Sequence, residues 1–352
     1  MPMRKKSRVF LVIWAVFATL VAAGLIAFEV LRIFGKTSLD SKSVTSTPML
    51  EQSDEQQDSA TISSSEWEAD WVRYNGAIYD YNEDIKTFLI MGIDKTDEVI
   101  PVAEGTDGGQ ADGLFLLVLD PRTESIKVIA INRNTMTDVD IYDDHGRYMT
   151  TTIAQIAVQH GFGDGVEESC EYQVKAVSKL FYQLPIHGYA AINMSAISTI
   201  NDNIGGVDVV VLEDLTSVDK TLIEGEQVHL MGDTAFTYVK YRDVSEYKSS
   251  DKRLLRQKQY LKAFIEKARV KSREDSSTAL DIYTSITSYM TTDITADELT
   301  YLVPLINEYE FDSEDIITLE GTTKKGEDFE EFYVDEDALY ETILDAFYVK
   351  IG

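Results

Sequence analysis

The chain has 352 residues, with 32 Lys+Arg against 61 Asp+Glu for a net charge of −29, and 44% of its residues are hydrophobic. That length and apolar content suit a folded core and exclude an acidic disordered tail, and the charge argues against a nucleic-acid partner. The single Cys170 excludes a disulfide framework, and His145, His160, His187 and His229 show no metal-ligand spacing, so each reads as a surface or turn residue.

The charge is unevenly placed. Residues 1–36 hold six basic residues and one acid, leaving 26 basic against 60 acidic residues in 37–352. Val9–Phe28 is free of charge and follows Arg4, Lys5, Lys6 and Arg8. At a rise of about 1.5 Å per residue it matches one hydrocarbon core, and the flanking cations orient it. The sequence therefore predicts a cytoplasmic stub (1–8), a transmembrane anchor (9–31), a solvated extracytoplasmic linker (32–79) and a globular domain (80–352). The expected location is the cell membrane, single-pass, with the N-terminus cytoplasmic and the main domain outside.

Within the domain, Thr87–Ile93 is a short apolar run ending at Asp94, read as a buried strand. Leu114–Leu119 and Ser125–Ile131 flank Asp120-Pro121-Arg122, read as a hairpin. Thr151–His160 and Glu167–Tyr182 read as helices, Tyr189–Met194 as a strand, and Ser195–Ile204 as a helix closed by Gly205-Gly206. Val207–Leu212 is a β-branched strand, Asp233–Tyr241 a short helix, and Asp251–Ala268 a long one. Asp315–Leu319 reads as a strand and Asp335–Tyr348 as a closing helix. The pattern predicts an α/β class (α+β mixed), a central mixed sheet flanked by helices.

No Gly-x-Ser-x-Gly elbow, Walker loop or His-Glu-x-x-His run is present. The exceptions to the acidic background are cations at element ends: Arg133, Lys240, Arg242, and then Arg253, Arg256 and Gln257 on one side of the long helix. Asp94 and Asp112 end or begin neighbouring strands, with Gly105, Gly108 and Gly109 between them. Such oxygen donors suit Mg²⁺ held together with substrate phosphates.

In chain order, Phe88–Asp94, Ala111-Asp112-Gly113, Ile131–Thr135, Asn203–Val209, Tyr238–Arg242 and Arg253–Gln259 resemble the motifs of the LytR-CpsA-Psr proteins of the Gram-positive cell wall. The resemblance implies a phosphotransferase that moves a glycopolymer from a polyprenyl-pyrophosphate carrier to a peptidoglycan hydroxyl. It implies Asp94 and Asp112 as ligands of Mg²⁺ (or Mn²⁺), and Arg133, Lys240, Arg242, Arg253, Arg256 and Gln257 on the pyrophosphate. Catalysis would rest on Arg133, Asn134, Arg242, Arg253, Gln257 and Asp251. The sequence departs from the family at Asn134, where an Asp is usual, at Lys240 for an Arg, at Gln110, and at Ser250, where a carboxylate often lies. Those departures keep two other readings open: a protein that binds the lipid-linked glycan without transferring it and regulates envelope assembly, or a lipid pyrophosphatase.

Overall fold

Apolar runs along its middle strands set the architecture of the protein, described here from a computed structural model. It covers residues 28–42, 47–50, 68, 71–102, 108–275 and 277–352. From the N-terminal side these form α1 (residues 28–42), β1 (Trp71–Tyr74), β2 (Ala77–Tyr81), β3 (Lys86–Ile93), β4 (Ala111–Asp120) and β5 (Ser125–Ile131). There follow β6 (Met136–Tyr142), β7 (Tyr148–Gln155), α2 (Glu167–Leu180), β8 (Gly188–Asn193), α3 (Ala196–Asn203), β9 (Val207–Val210) and β10 (Gln227–Leu230). Next come α4 (Gly232–Lys240), α5 (Ser249–Glu274), α6 (Thr278–Ser285), β11 (Met290–Thr292) and α7 (Ala296–Glu308). The chain closes with β12 (Ile316–Thr318), β13 (Gly321–Lys325), β14 (Glu330–Val334), α8 (Glu336–Phe347) and β15 (Tyr348–Lys350).

Six strands make the central sheet in the order β11-β8-β3-β4-β5-β12. It is mixed, as the sequence predicts: β3 runs parallel to β8 and β12 to β5, while the other pairs are antiparallel. In β3, Leu89, Met91 and Ile93 point to the face covered by α2 and α8, where Val177, Phe181, Ile343 and Phe347 are buried. Phe88 and Ile90 point to the other face, covered by α1 and α7 through Leu39, Leu302 and Tyr309. Strand residues buried on both sides need apolar side chains at nearly every position, which explains the unbroken runs in β3 to β5. A second core, of β9, β10, α3, α4 and α5, centres on Tyr238, Val207, Leu222 and Tyr260.

Several expectations are corrected. No helix among the described residues is long and apolar enough to cross a membrane, and most of the anchor expected over 9–31 falls on residues 1–27, outside them. The stretch that is described does not stop at 31. It runs on as α1 to residue 42 and docks on the domain. The membrane partner and the single-pass placement rested on that anchor and are withdrawn with it. The linker expected over 32–79 is also revised, since it contains most of α1, then β1 and the start of β2. Leu39 is fully buried, and the buried Glu298 of α7 accepts from Ser38 Oγ (2.7 Å) and Lys42 Nζ (3.0 Å). Gly35 permits this approach, because a Cβ there would lie 2.1 Å from the Asp297 carbonyl oxygen.

Thr151–His160 is not a helix. Thr150–Gln155 pairs with β6, and only Ile156–Phe162 coils, as a 3₁₀ turn. Its β-branched Thr151, Thr152 and Ile153 favour the pleated surface of a hairpin. His160 and His187 are not surface residues, being 1% and 4% exposed. Burial pushes both imidazoles down to about 4, and His187 Nδ1 accepts the Thr87 N–H at 3.1 Å.

Two outcomes follow from this packing. Replacing Leu39 by Ala is expected to lower the local opening free energy of α1, read by amide hydrogen exchange, by about 2–5 kcal/mol. Because His160 and His187 resist protonation when folded, an unfolded chain takes up protons first, from about pH 6.5 downward. Their contribution is whole above that pH and is lost as pH falls toward 4. Urea midpoints should fall over this window, and less so in His160→Gln.

Candidate functional site

Strands β3 and β4 end side by side, and an irregularity in their pairing creates the site. Gly92 pairs with Gly113 and Ile93 with Ala111, so Asp112 is an extra residue in β4. A bulge of this kind re-aims a side chain that regular pairing would fix. Asp94, one residue past β3, accepts the Gln110 N–H on Oδ1 (2.7 Å) and donates its own N–H to the Gln110 carbonyl (3.0 Å). Gly109 allows that turn with a positive φ of +82°, in a space where a Cβ would lie 2.8 Å from Ile93. Asp94 and Gln110 border a pocket of about 470 Å³ with Lys95, Val158 and Phe162. Of the glycine-rich loop between the two acidic motifs, residues 103–107 lie outside the described residues.

Asp112 is the centre of the cluster. Its Oδ1 lies 2.6 Å from Arg133 Nε and its Oδ2 accepts from Arg253 at 2.7 Å. Arg133 comes from the turn after β5 and also donates to Gln110 Oε1 and to Asn134 Oδ1 (3.2 Å). Arg253 reaches across from the first turns of α5 and is 4% exposed. Burial alone would raise the Asp112 carboxyl, but Arg253 and Arg133 outweigh it and hold it below the usual carboxylate range. Burial depresses Arg133, as do the charges of Arg253 and Arg242, against the pull of Asp112. Arg242 is depressed by burial and by Arg253 in the same way, and it donates to Ser250 Oγ at 2.6 Å. Two guanidiniums thus pair with one carboxylate, and a third, Arg242, stands close enough to feel it.

A second network positions the turn after β5. Asp251 accepts from Asn132 Nδ2 (2.7 Å) on one oxygen and from Thr323 Oγ1 (2.8 Å) on the other. Asn132 Oδ1 in turn accepts the Asn134 N–H at 2.9 Å. Asn134 is 1% exposed, and its Oδ1 also accepts from Gln155 Nε2 at 3.0 Å. Arg133, Asn134, Gln155 and Arg242 line a cleft of about 290 Å³, closed on its far side by Lys325–Glu330.

The structure brings together Arg133, Asn134, Arg242, Arg253 and Asp112 from the expected set, with Asp251 supporting Asn132. Three expected ligand-binding residues stand apart. Arg256 is buried against Glu213 at 2.7 Å and donates to the Tyr238 and Tyr241 carbonyls, tying α4 to α5. Gln257 is also buried and donates to the Val239 carbonyl at 3.4 Å. Lys240 lies over the Phe236 ring, 5.0 Å from its centroid. Glu330, Phe329, Tyr247 and Gln155 line the cleft and belong to none of the motifs; the turn residues around Gly326 were the one signal of a hairpin there.

The pair expected to hold Mg²⁺ does not form a metal site as arranged. Both oxygens of Asp112 face guanidiniums, Asp94 Oδ1 is committed to a backbone N–H, and no cluster of three His, Cys, Asp or Glu side chains suited to a metal occurs among the described residues. A hard cation prefers several free oxygens.

The model of the LytR_cpsA_psr family matches residues 36–344. The polyisoprenyl-teichoic acid–peptidoglycan teichoic acid transferase TagU of Bacillus cereus is 31% identical over 216 residues, covering 60% of this chain and 62% of the relative. Its counterpart in Halalkalibacterium halodurans is 27% identical over 186 residues, covering 53% and 54%. The match thus spans about three-fifths of the length of the first of these curated relatives. Among solved structures, B. subtilis TagV aligns with a TM-score of 0.56 at 22% identity, covering 75% of this chain and 96% of its own. TagT bound to LI-WTA aligns at 0.55 and 19%, covering 75% and 89%. These likenesses establish the shared fold.

Removing Asp112 leaves Arg133 and Arg253 buried together without their anion. Asp112→Ala is expected to cost about 3–5 kcal/mol in urea unfolding. In the wild type, the Asp112 contribution is whole above the unfolded carboxyl value of about 3.9 and disappears as pH falls through its lower folded value, a slope the variant should lack.

Proposed function

Because the chain belongs to the LytR_cpsA_psr family, we propose that it binds the pyrophosphate of a lipid-linked glycopolymer in the cleft beside Arg133, Asn134 and Arg242. The observation that carries this reading is a group of guanidiniums at fixed places inside an acidic protein: Arg133 and Arg253 pair with Asp112, and Arg242 lies beside them with a hydrogen bond to Ser250. Guanidinium stays charged, and its planar fork fits phosphate oxygens. Asp112 and the Asn132–Asp251 network hold the fork in place before a ligand arrives, which reduces the ordering cost of binding.

The names of the TagU relatives supply teichoic acid as the polymer class and support a general transferase role at the level of the family. The narrower reaction expected from the sequence, a membrane-anchored and Mg²⁺-dependent transfer to peptidoglycan, is not carried over. Its anchor is not found among the described residues and its two-carboxylate metal site is not formed. Asn134 cannot take up a proton, and both oxygens of Asp251 accept hydrogen bonds. Recognition of the pyrophosphate-linked glycan, as a binding protein or regulator of envelope assembly, is therefore the reading the site supports best.

Calorimetric titration of the full chain with farnesyl pyrophosphate is expected to show saturable binding. Arg242→Ala should weaken it about tenfold to a hundredfold, the loss of a charge-assisted hydrogen bond. Unchanged affinity in that variant would refute the site, and release of farnesyl phosphate without an acceptor would replace binding by the pyrophosphatase reading.

A further inference from the structure

Strand β7 leaves one edge of the β6–β7 hairpin uncovered. Asp140 of β6 stands opposite Thr151; its N–H donates to Gln159 Oε1 (2.8 Å) and its carbonyl accepts from Gln159 Nε2 (2.9 Å). Both groups point away from β7, which makes Asp140 and Thr151 a pair that exchanges no backbone bonds. The Thr151 N–H and carbonyl therefore point to the outer edge, and by alternation those of Ile153 do too. Among the described residues, no backbone group of Tyr148–Gln155 bonds to backbone beyond the β6 ladder. Only the Thr150 hydroxyl approaches the Thr151 carbonyl, at 3.4 Å.

Folded proteins blunt such edges by keeping them short, charged, broken by Pro or covered. The other edge strands among the described residues are at most four residues long or carry Asp, Glu or Lys. Strand β7 has eight residues with neither charge nor Pro, and its pairing with β6 shifts only at the turn end. Its Tyr148, Met149 and Ile153 are 57%, 62% and 59% exposed. A protein of net charge −29 repels its own copies over most of its surface, and this uncharged strand is where two copies can touch.

We propose that β7 pairs with β7 of a second copy, antiparallel about a two-fold axis at Thr151. In that register Thr151 meets its own counterpart with outward backbone groups on both strands. Thr150 then stands opposite Thr152, and Met149 opposite Ile153. Cross-strand Thr–Thr and apolar pairs are favourable, and no like charges oppose each other along the strand. The contact is self-complementary, so it closes at two copies. Gln155, at the end of β7, lines the cleft, and the two Gln155 residues of the dimer sit toward opposite ends of one ribbon, about 27 Å apart. The pairing does not depend on what the cleft binds.

Sedimentation equilibrium of the full chain is expected to show a concentration-dependent dimer. Thr151→Lys and, separately, Ile153→Lys put an edge-blocking charge on both copies and should raise the dissociation constant about tenfold or more. Under oxidation, Thr151→Cys should give a covalent dimer, because the paired Cα atoms lie about 5.5 Å apart, within disulfide reach. Thr150→Cys should not, since that residue and its copy are offset along the strands to about 8 Å. The native Cys170 is buried and does not compete. Ile153 is exposed, so its variant keeps the test valid should a change at Thr151 disturb the bond from Thr151 Oγ1 to Asp140 (2.6 Å). A wild-type monomer at every concentration, or a dimer that both lysines leave unchanged, would overturn the proposal. So would a cross-link through Thr150→Cys in place of Thr151→Cys.

Discussion

The carboxylate of Asp112 between Arg133 and Arg253 is the interaction on which the site depends. Each guanidinium is nearly buried, and neither could remain there charged without an anion within reach. The pair also crosses the fold. Arg133 follows β5 of the central sheet and Arg253 belongs to α5, which packs in the second core, so one carboxylate joins the two halves where the cleft opens. Arg242 and Glu330 then face each other across that cleft. An ion pair of this kind adds little net stability. What it supplies is position, holding two cations at fixed places in a protein whose net charge would otherwise repel an anionic ligand.

The central sheet was legible because β3 to β5 bury both faces, and such strands can only be continuous apolar runs. Asp94 and Asp112 were legible as strand-end carboxylates. The partner of Asp112 was not: a one-residue bulge at Gly92/Ile93 decides whether its side chain faces a metal or a guanidinium, and no local pattern announces a bulge. The long helix shows the same limit. Arg253, Arg256, Gln257 and Tyr260 share one face by spacing, and that polar face turned out to be the buried one, while Leu255 is 56% exposed. Spacing placed Arg253 and Arg256 together, yet only Arg253 reaches Asp112; Arg256 spends its donors on the carbonyls of Tyr238 and Tyr241. Glu330 belongs to no motif, because the β13–β14 hairpin brings it to the cleft from the C-terminal end of the chain.

The start of the chain was read from hydropathy and its flanking charges, and α1 shows why that is insufficient. Its apolar residues include Leu39, which is a core residue of the sheet, while Phe34 is 63% exposed. The helix is held by the buried carboxylate of Glu298, which also caps α7 through Thr295. Residues 32–42, read as the start of a spacer, are part of the layer covering one face of the sheet.

The central claim is that Arg133 and Arg242 together grip a pyrophosphate in the cleft they line. A crystal structure of the full chain soaked with pyrophosphate tests it most directly. The account predicts phosphate oxygens within hydrogen-bond reach, about 2.7–3.2 Å, of both guanidiniums, with the Asp112 bridge to Arg133 and Arg253 intact. Pyrophosphate bound elsewhere, or bound only after Asp112 has released both arginines, would contradict it.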